Sequence, residues 1–192
     1  FYLHHNVNEI SKNLLGKFLL TNIKGQITGG MIVETEAYAG ITDKASHAYN
    51  NRKTNRTKVL YENGGIAYIY LCYGIHYLFN VVTNTTEIPH AVLIRAVEPT
   101  DGIDLICKRR GKKYNLNLTN GPGSLTMALG INTSHSGTSL LESKIWIESR
   151  NINIKNNNII SSPRVGIDYA QEYIKKPWRY RIKNNPLCGS VK

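Results

Sequence analysis

The sequence predicts an α+β fold, and three observations support this prediction. Runs of β-branched and aromatic residues alternate with a few segments of helical periodicity, as expected for antiparallel strands with helices interspersed. The 192 residues correspond to one compact domain, and hydrophobic residues make up 41% of them, enough for a buried core. Neither an internal repeat nor a linker divides the chain. We therefore expect a single domain over residues 1–192.

The first predicted elements are a helix and a β-hairpin. Apolar side chains recur at helical spacing over residues 7–15, and Gly16 follows as a stop signal, which indicates an amphipathic helix. Two apolar runs, residues 18–20 and 31–33, flank a turn at Lys24-Gly25 and are typical of two strands joined by a hairpin. The second strand is predicted to continue towards residue 38.

The middle of the chain is predicted to contain a basic loop and three further strands. Residues 39–58 are polar, with five lysines and arginines against one aspartate. Residues 66–82 form an aromatic and β-branched run that is interrupted near Tyr73-Gly74, which predicts two strands with a tight connection there. Residues 91–99 are predicted to form another strand, ending at a proline.

The C-terminal half has weaker patterns. In order, they predict a helix capped by Thr100 that ends in a basic cluster, a short helix over 121–130, a strand over 145–149, an exposed polar connection over 152–160, a helix over 168–175 and a basic tail around 178–181.

The composition is strongly basic, since 24 lysines and arginines stand against 13 acids and the net charge is +11. Such a charge favours a polyanionic partner, either nucleic acid or an anionic membrane, and a solvated lysine-rich surface is the alternative. No apolar run approaches the ~18 residues that span a bilayer, and the first residues lack the pattern of a signal peptide. We expect a soluble, intracellular monomer. The three cysteines lack a C-x-x-C spacing and are expected to be buried thiols.

Two glutamates and a tyrosine alternate along the second predicted strand. Glu34, Glu36 and Tyr38 would lie on one face of it, with the carboxylates roughly 6–7 Å apart. Pairs of carboxylates near this separation hydrolyse glycosidic bonds in inverting glycosidases, where one activates water and the other protonates the leaving group. The alternative is that one glutamate binds a surface lysine and the other is solvated.

The sequence contains no motif for a metal or a nucleotide cofactor. The six histidines lack the spacings of zinc sites, and neither G-x-G-x-x-G nor G-x-x-x-x-G-K-[ST] occurs. Ser134-His135-Ser136 lacks a nucleophile elbow and is interpreted as a loop. We therefore predict that the protein needs no metal and no cofactor.

Tyrosines cluster around the predicted connection at Tyr73-Gly74, with Tyr68, Tyr70 and Tyr77 nearby. In a basic protein, aromatic rings can stack on exposed bases, and a side chain at a hairpin tip can enter a base step as a wedge. The alternative is ordinary packing of tyrosines within a sheet, which explains any one of them except the residue at the tip.

Six motifs in order resemble the alkyladenine (3-methyladenine, methylpurine) DNA glycosylases over nearly the whole chain. They are IVETEAY (32–38), His47, YIYLCYGIHYLFN (68–80), LIRAVEP (93–99), GPGSLTMALGI (121–131) and PRVGI (163–167). The resemblance implies a curved, mostly antiparallel sheet with surrounding helices and a protruding β-hairpin that intercalates into DNA. It also implies base excision repair: removal of alkylated purines, hypoxanthine or ethenoadenine from duplex DNA by hydrolysis of the N-glycosidic bond, leaving an abasic site.

The resemblance also implies roles for individual residues. Glu36 matches the general base that activates water, and Arg95 matches the residue that helps it hold that water. Tyr73 matches the intercalating tyrosine. The base pocket corresponds to Tyr38, His47, Tyr70, Asn80 and Val165. Glu34 matches no catalytic acid, and no lysine matches a nucleophile, so we expect a monofunctional enzyme without lyase activity.

The partner expected from this resemblance is double-stranded DNA that contains a damaged purine. Basic residues nominated for contacts with the DNA backbone are Arg52, Lys53, Arg56, Lys175 and Arg181. Two other hypotheses remain open at this point. One is a non-catalytic module that binds single-stranded nucleic acid through the tyrosines, and the other is a small carbohydrate hydrolase that uses Glu34 and Glu36.

Overall fold

One antiparallel sheet of eight strands organises the fold in the computed structural model, which describes residues 1–188. The strands are β1 (Phe18–Ile23), β2 (Gln26–Tyr38), β3 (Ala67–Cys72), β4 (His76–Thr83), β5 (His90–Asp101), β6 (Ile145–Glu148), β7 (Ile159–Ser162) and β8 (Arg179–Ile182). Their order is β3-β4-β5-β2-β1-β6, with β8 pairing with β2 and β7 with β8. The α-helices are α1 (Val7–Asn13), α2 (Ile103–Arg110) and α3 (Pro122–Leu129). The α+β prediction is confirmed.

Strand β2 is the centre of the sheet. Its first half pairs with β1, its second half pairs with β8, and β5 runs along its other edge. Because neighbours cover both edges and both faces, residues 32–37 are all buried. The two glutamates of this strand therefore lie in the interior rather than on an exposed strand face.

Helices α1 and α3 cover one face of the sheet and form the main core with it. The side chain of Asn6 caps α1 by accepting the backbone N–H of Asn8 at 3.0 Å. Ile10 of α1, Leu125 of α3 and Phe79 of β4 are among the fully buried members of this core. Burial of each such side chain contributes about 1.5–3 kcal/mol to the stability of the fold. In residues 1–188, none of the helices has the length and apolar character needed to cross a membrane.

The pairing of β2 with β5 has three irregularities, one at Gly29/Gly30 and two adjacent β-bulges near the middle of the strands. Ile32 pairs with Val97 and Glu34 with Ala96, so residue 33 is extra on β2. Thr35 then pairs with Ile94, so residue 95 is extra on β5. Bulges bend a strand and redirect side chains, and they are common beside active sites. The second bulge redirects the side chain of the arginine at position 95.

Most of the predicted elements are present. Helix α1, the hairpin at Lys24-Gly25, the strand to Tyr38, the two strands around Tyr73-Gly74 and helix α3 are confirmed with boundaries shifted by a few residues. The 145–149 strand is also confirmed, as β6. Residues 39–58 form a loop with two short 3-10 turns.

Three predictions about the second half were wrong. Thr100 does not cap a helix, because β5 continues through Pro99 to Asp101 and Gly102 precedes α2. Residues 168–175 contain a single 3-10 turn rather than a helix, since Gln171 has a φ of 52° that a helix does not allow. The polar connection over 152–160 gives way to strand β7 at Ile159.

The predicted basic tail is also different in the structure. Residues 179–182 form strand β8 beside β2, and Arg179 and Arg181 are buried. A buried guanidinium does not reach a phosphate on the surface. The nomination of Arg181 as a contact to the DNA backbone was therefore wrong.

Candidate active site

The predicted base-pocket residues meet on the second face of the sheet. Glu36 of β2 lies opposite Leu93 of β5, and Leu93 lies opposite Asn80 of β4. Asn80 in turn lies opposite Tyr68 of β3. A cavity of about 600 Å³ lies over this row, and the loop that contains Val165 closes one side of it. Four strands thus bring residues distant in sequence to one concave surface.

The carboxylate of Glu36 is completely buried and held by three donors. Its Oε2 accepts a hydrogen bond of 2.8 Å from the hydroxyl of Tyr38, and its Oε1 accepts one of 2.9 Å from the backbone N–H of Val165. Arg95 Nη1 lies 3.2 Å from the same Oε1. Because Tyr38, Arg95 and Val165 line the cavity, these contacts fix the orientation of the carboxylate directly beneath the lining, at what is called here the floor of the pocket.

Glu34 has a different environment, although it lies only two residues away. Its Oε1 accepts hydrogen bonds from Nε of Arg95 at 2.8 Å and from Nε of Arg179 at 2.6 Å. Burial acts to lower the pKa of Arg95, but the carboxylates of Glu36 and Glu34 outweigh it and raise that pKa. Arg95 therefore stays charged. The alternative of a surface lysine pair was wrong, because both glutamates are buried and are held by Arg95 and, for Glu34, also by the buried Arg179.

Uncharged aromatic groups form the wall of the cavity. His47 Nδ1 lies 2.9 Å from the hydroxyl of Tyr68, and the His47 and Tyr70 ring centroids are 4.5 Å apart in an edge-on contact. Burial, together with the charges of Arg56 and Arg52, lowers the pKa of His47 to about 4. Burial also raises the pKa of Tyr68 to about 12 and raises that of Tyr70. The wall is therefore neutral at pH 7.

Tyr38 and Asn80 complete the pocket. Burial, followed by the charge of Glu36, raises the pKa of Tyr38 well above its usual value, so the phenol stays protonated and donates a hydrogen bond to Glu36. The amide of Asn80 donates to the carbonyl oxygen of Tyr68 at 3.1 Å, which holds its side chain in place beside the cavity.

The β3–β4 hairpin projects its tip into solvent beside the cavity. Tyr73 is 89% exposed and Ile75 is 70% exposed. Tyr73 and Gly74 have φ angles of 51° and 73°, and the N–H of Ile75 donates to the carbonyl oxygen of Cys72 at 3.1 Å to close the turn. A bulky residue in this left-handed region costs about 1–3 kcal/mol, and such residues cluster at functional sites. Fold stability alone does not explain a tyrosine here.

The remaining basic residues from the sequence analysis lie on the surface. Arg52, Lys53, Arg56 and Lys175 are exposed. Lys53 forms an ion pair of 2.7 Å with Glu87, and the guanidinium of Arg56 lies 5.8 Å from the ring centroid of Tyr70 at the edge of the cavity. Arg56 lines the cavity, and the charge of Arg52 acts on His47 in its wall; these two residues and the adjacent Lys53 are called here the basic rim. Among residues 1–188, no cluster of histidine, cysteine, aspartate and glutamate side chains is placed to hold a metal ion.

Sequence reasoning missed two features of the site. The bulge at Arg95 lets one guanidinium reach both Glu34 and Glu36. The residues around position 95 contain no pattern that predicts this bulge. Asp43 and Arg164 form a buried ion pair beneath the loop that carries Val165. The two residues are 121 positions apart, so a local sequence pattern does not predict that they pair.

An aromatic-walled cavity of this size, with a buried carboxylate beneath its lining and an exposed tyrosine beside it, is compatible with the DNA glycosylases, enzymes of DNA repair. The profile of the methylpurine-DNA glycosylase family matches residues 1–186. The chain belongs to this family.

Bacterial proteins that carry the provisional name 3-methyladenine DNA glycosylase are similar over almost their full length. One from Chlamydia felis is 50% identical, over 95% of this chain and 93% of its own. One from Natranaerobius thermophilus is 43% identical, over 98% of this chain and 96% of its own. The resemblance inferred from the six motifs is thereby confirmed.

Proposed function

We propose that the protein removes alkylated purines, hypoxanthine and ethenoadenine from duplex DNA by hydrolysing the N-glycosidic bond with a water that Glu36 activates. The geometry of the carboxylate carries this proposal. Glu36 accepts hydrogen bonds from Tyr38 and Val165 and lies beside Arg95, and all three of these partners line a cavity large enough for a purine.

The chemical step transfers one proton and breaks one bond. Glu36 accepts a proton from water as the oxygen bonds to C1′ of the sugar, and the electron pair of the C1′–N bond moves onto the base. Arg95 holds the water together with Glu36. An alkylated purine carries a positive charge and leaves as a neutral base. Hypoxanthine is neutral, so it takes up a proton from solvent water at N7 as it leaves.

Selection of the base depends on extrusion of the nucleotide from the helix. Extrusion costs a few kcal/mol and is easiest where pairing is already damaged. Tyr73 enters the vacated space as a wedge and offsets part of this cost. The aromatic walls at Tyr38 and Tyr70 then stack on the base, and they attract a cationic alkylpurine through their π faces. Because His47 is neutral, it does not repel that cation.

The DNA backbone lies against the basic rim in this proposal. Arg52, Lys53 and Arg56, with Lys175, bind phosphates without reading the base sequence. Residues 1–192 act as a single glycosylase domain and as a monomer. No lysine of residues 1–188 lines the cavity. Without an amine to form a Schiff base, the enzyme stops at the abasic site and does not cut the strand.

The test is release of free base from defined duplexes. Methylated DNA and oligonucleotide duplexes with a single hypoxanthine or ethenoadenine are incubated with the protein, and the released base is identified by mass spectrometry. We expect free base together with strand breaks that appear only after alkali treatment. Binding without base release from every substrate would instead support the non-catalytic module, and strand breaks before alkali treatment would contradict a monofunctional enzyme.

A further inference from the structure

The loop that carries Val165 is anchored by a buried ion pair that the proposed chemistry does not use. Asp43 and Arg164 form two parallel hydrogen bonds, from Nη1 to Oδ2 at 2.6 Å and from Nη2 to Oδ1 at 2.8 Å, and neither side chain is exposed. The oxygens of Asp43 also accept the backbone N–H groups of Ala39 and Ala45, at 3.1 and 3.0 Å. This carboxylate therefore holds the start of the basic loop around the guanidinium.

Arg164 connects the ion pair to the strand that carries Glu36. Its Nη1 donates to the carbonyl oxygen of Ala37 at 2.8 Å, and its guanidinium lies 4.6 Å from the ring centroid of Tyr38. The next residue, Val165, donates its N–H to Oε1 of Glu36. One side chain thus joins the backbone of β2, a wall of the pocket and the residue that orients the catalytic carboxylate.

Stability alone explains a pair of this kind poorly. Two charges lose their hydration when they are buried, and an apolar pair of similar volume often gives equal or greater stability. An arginine–carboxylate pair with two parallel bonds does, however, fix direction as well as distance. The Asp43–Arg164 pair is placed where a fixed direction matters, one residue from the donor to Glu36.

We propose that Arg164 is a positioning residue for base excision: through Asp43 and Ala37 it holds the N–H of Val165 against Glu36 and so fixes the carboxylate that activates water. The proposal rests on the role of Glu36 stated under Proposed function. Arg164 acts through the backbone of its neighbour, so loosening the pair lowers the rate of bond cleavage without weakening DNA binding.

The test uses Arg164→Lys, which keeps the charge but forms only one of the two parallel bonds. We expect the single-turnover excision rate, measured with enzyme in excess, to fall about 10- to 100-fold, since small displacements of a catalytic group have effects of this size. The dissociation constant for a lesion duplex should change less than about threefold. Arg150→Lys is the matched control, because Arg150 forms the same two bonds to Asp101, at 2.9 and 3.1 Å, away from the cavity.

A second variant keeps the proposal testable if Arg164→Lys does not fold. Val165→Pro removes the N–H itself while keeping both members of the ion pair, and it should show the same loss of single-turnover rate; because Val165 lines the pocket, only the rate is compared for this variant. A parental rate in Val165→Pro would overturn the proposed route through this N–H, whatever Arg164→Lys does. Equal losses of rate and affinity in a folded Arg164→Lys would show a general structural role instead.

The role of Glu36 is checked separately by including Glu36→Gln in the same assay. A slow Glu36→Gln beside parental rates in Arg164→Lys and Val165→Pro would overturn only the positioning role. A parental rate in Glu36→Gln would overturn the assignment of the general base, and the positioning role with it.

Discussion

The floor of the pocket and the tip of the β3–β4 hairpin are opposite kinds of structure. At the floor, Glu34 and Glu36 are buried and each oxygen named above has a defined donor. At the tip, Tyr73 is exposed and its backbone adopts a conformation that costs free energy. The charges at the floor need their partners because buried charges without partners are strongly unfavourable, whereas the exposed tip can contact another molecule.

This difference separates two kinds of contribution to activity. Changes at the floor should affect bond cleavage on every substrate, single-stranded or duplex, because the chemistry is the same on both. Changes at the tip should affect duplex substrates alone, because a single strand has no helix to open.

The largest expected effect is on catalysis at the floor. Glu36→Gln removes the proton acceptor and should lower the single-turnover rate about 100- to 10,000-fold on duplex and single-stranded lesions alike, the usual contribution of a general base. Binding to a lesion duplex should be retained. Glu9→Gln, on the partly exposed first turn of α1, is the control and should cleave normally. Loss of activity on the duplex alone would contradict the assignment to the floor.

Substitution of Glu34, two residues from Glu36, should mainly lower the stability of the fold. Glu34→Gln leaves Arg95 and Arg179 without their shared carboxylate, and breaking a buried pair costs about 3–5 kcal/mol. We expect a lower midpoint of urea unfolding with an unchanged slope. Glu148→Gln is the matched control, since its ion pair with Arg150 is more exposed and should contribute about 1 kcal/mol or less. Equal midpoints for the two variants would show that the buried network is not a stabilising unit.

The tip should give a smaller effect that depends on the substrate. Tyr73→Ser should lower excision from a duplex about 10- to 100-fold, because a wedge offsets an unstacking cost of a few kcal/mol. Excision from a single-stranded lesion should change little. Tyr73→Phe keeps the ring and should behave like the parent on both substrates. An equal loss on the two substrates in Tyr73→Ser would rule out wedge action.

The sequence predicted which residues come together at the pocket and at the hairpin tip better than it predicted the contacts that hold them. The alternation of Glu34, Glu36 and Tyr38 requires only a strand, and the position of Tyr73 requires only a turn at Gly74, so both are local properties. The support is not local. The burial of Arg179 depends on Glu34, which lies 145 positions earlier. The local sequence around residues 178–181 shows its basic residues but not this distant partner, so it predicts a basic tail rather than a buried strand. The bulge at Arg95 depends on the pairing register of two strands, which side-chain patterns do not specify.

The smallest expected effect comes from the wall between floor and tip, and it appears as a pH dependence. Burial lowers the pKa of His47 to about 4, below its ordinary value of 6.5. Between these two values the unfolded chain binds a proton at this site that the folded protein does not, so stability falls as pH decreases from about 6.5 to 4. His47→Gln should reduce this dependence, measured as the midpoint of urea unfolding at pH 7 and pH 5. His90 and His135, whose pKa values are also lowered by burial, retain part of it. A variant with the same difference between the two pH values as the parent would show that folding does not lower the pKa of His47, and the inference that the wall stays neutral at pH 5 would then be wrong.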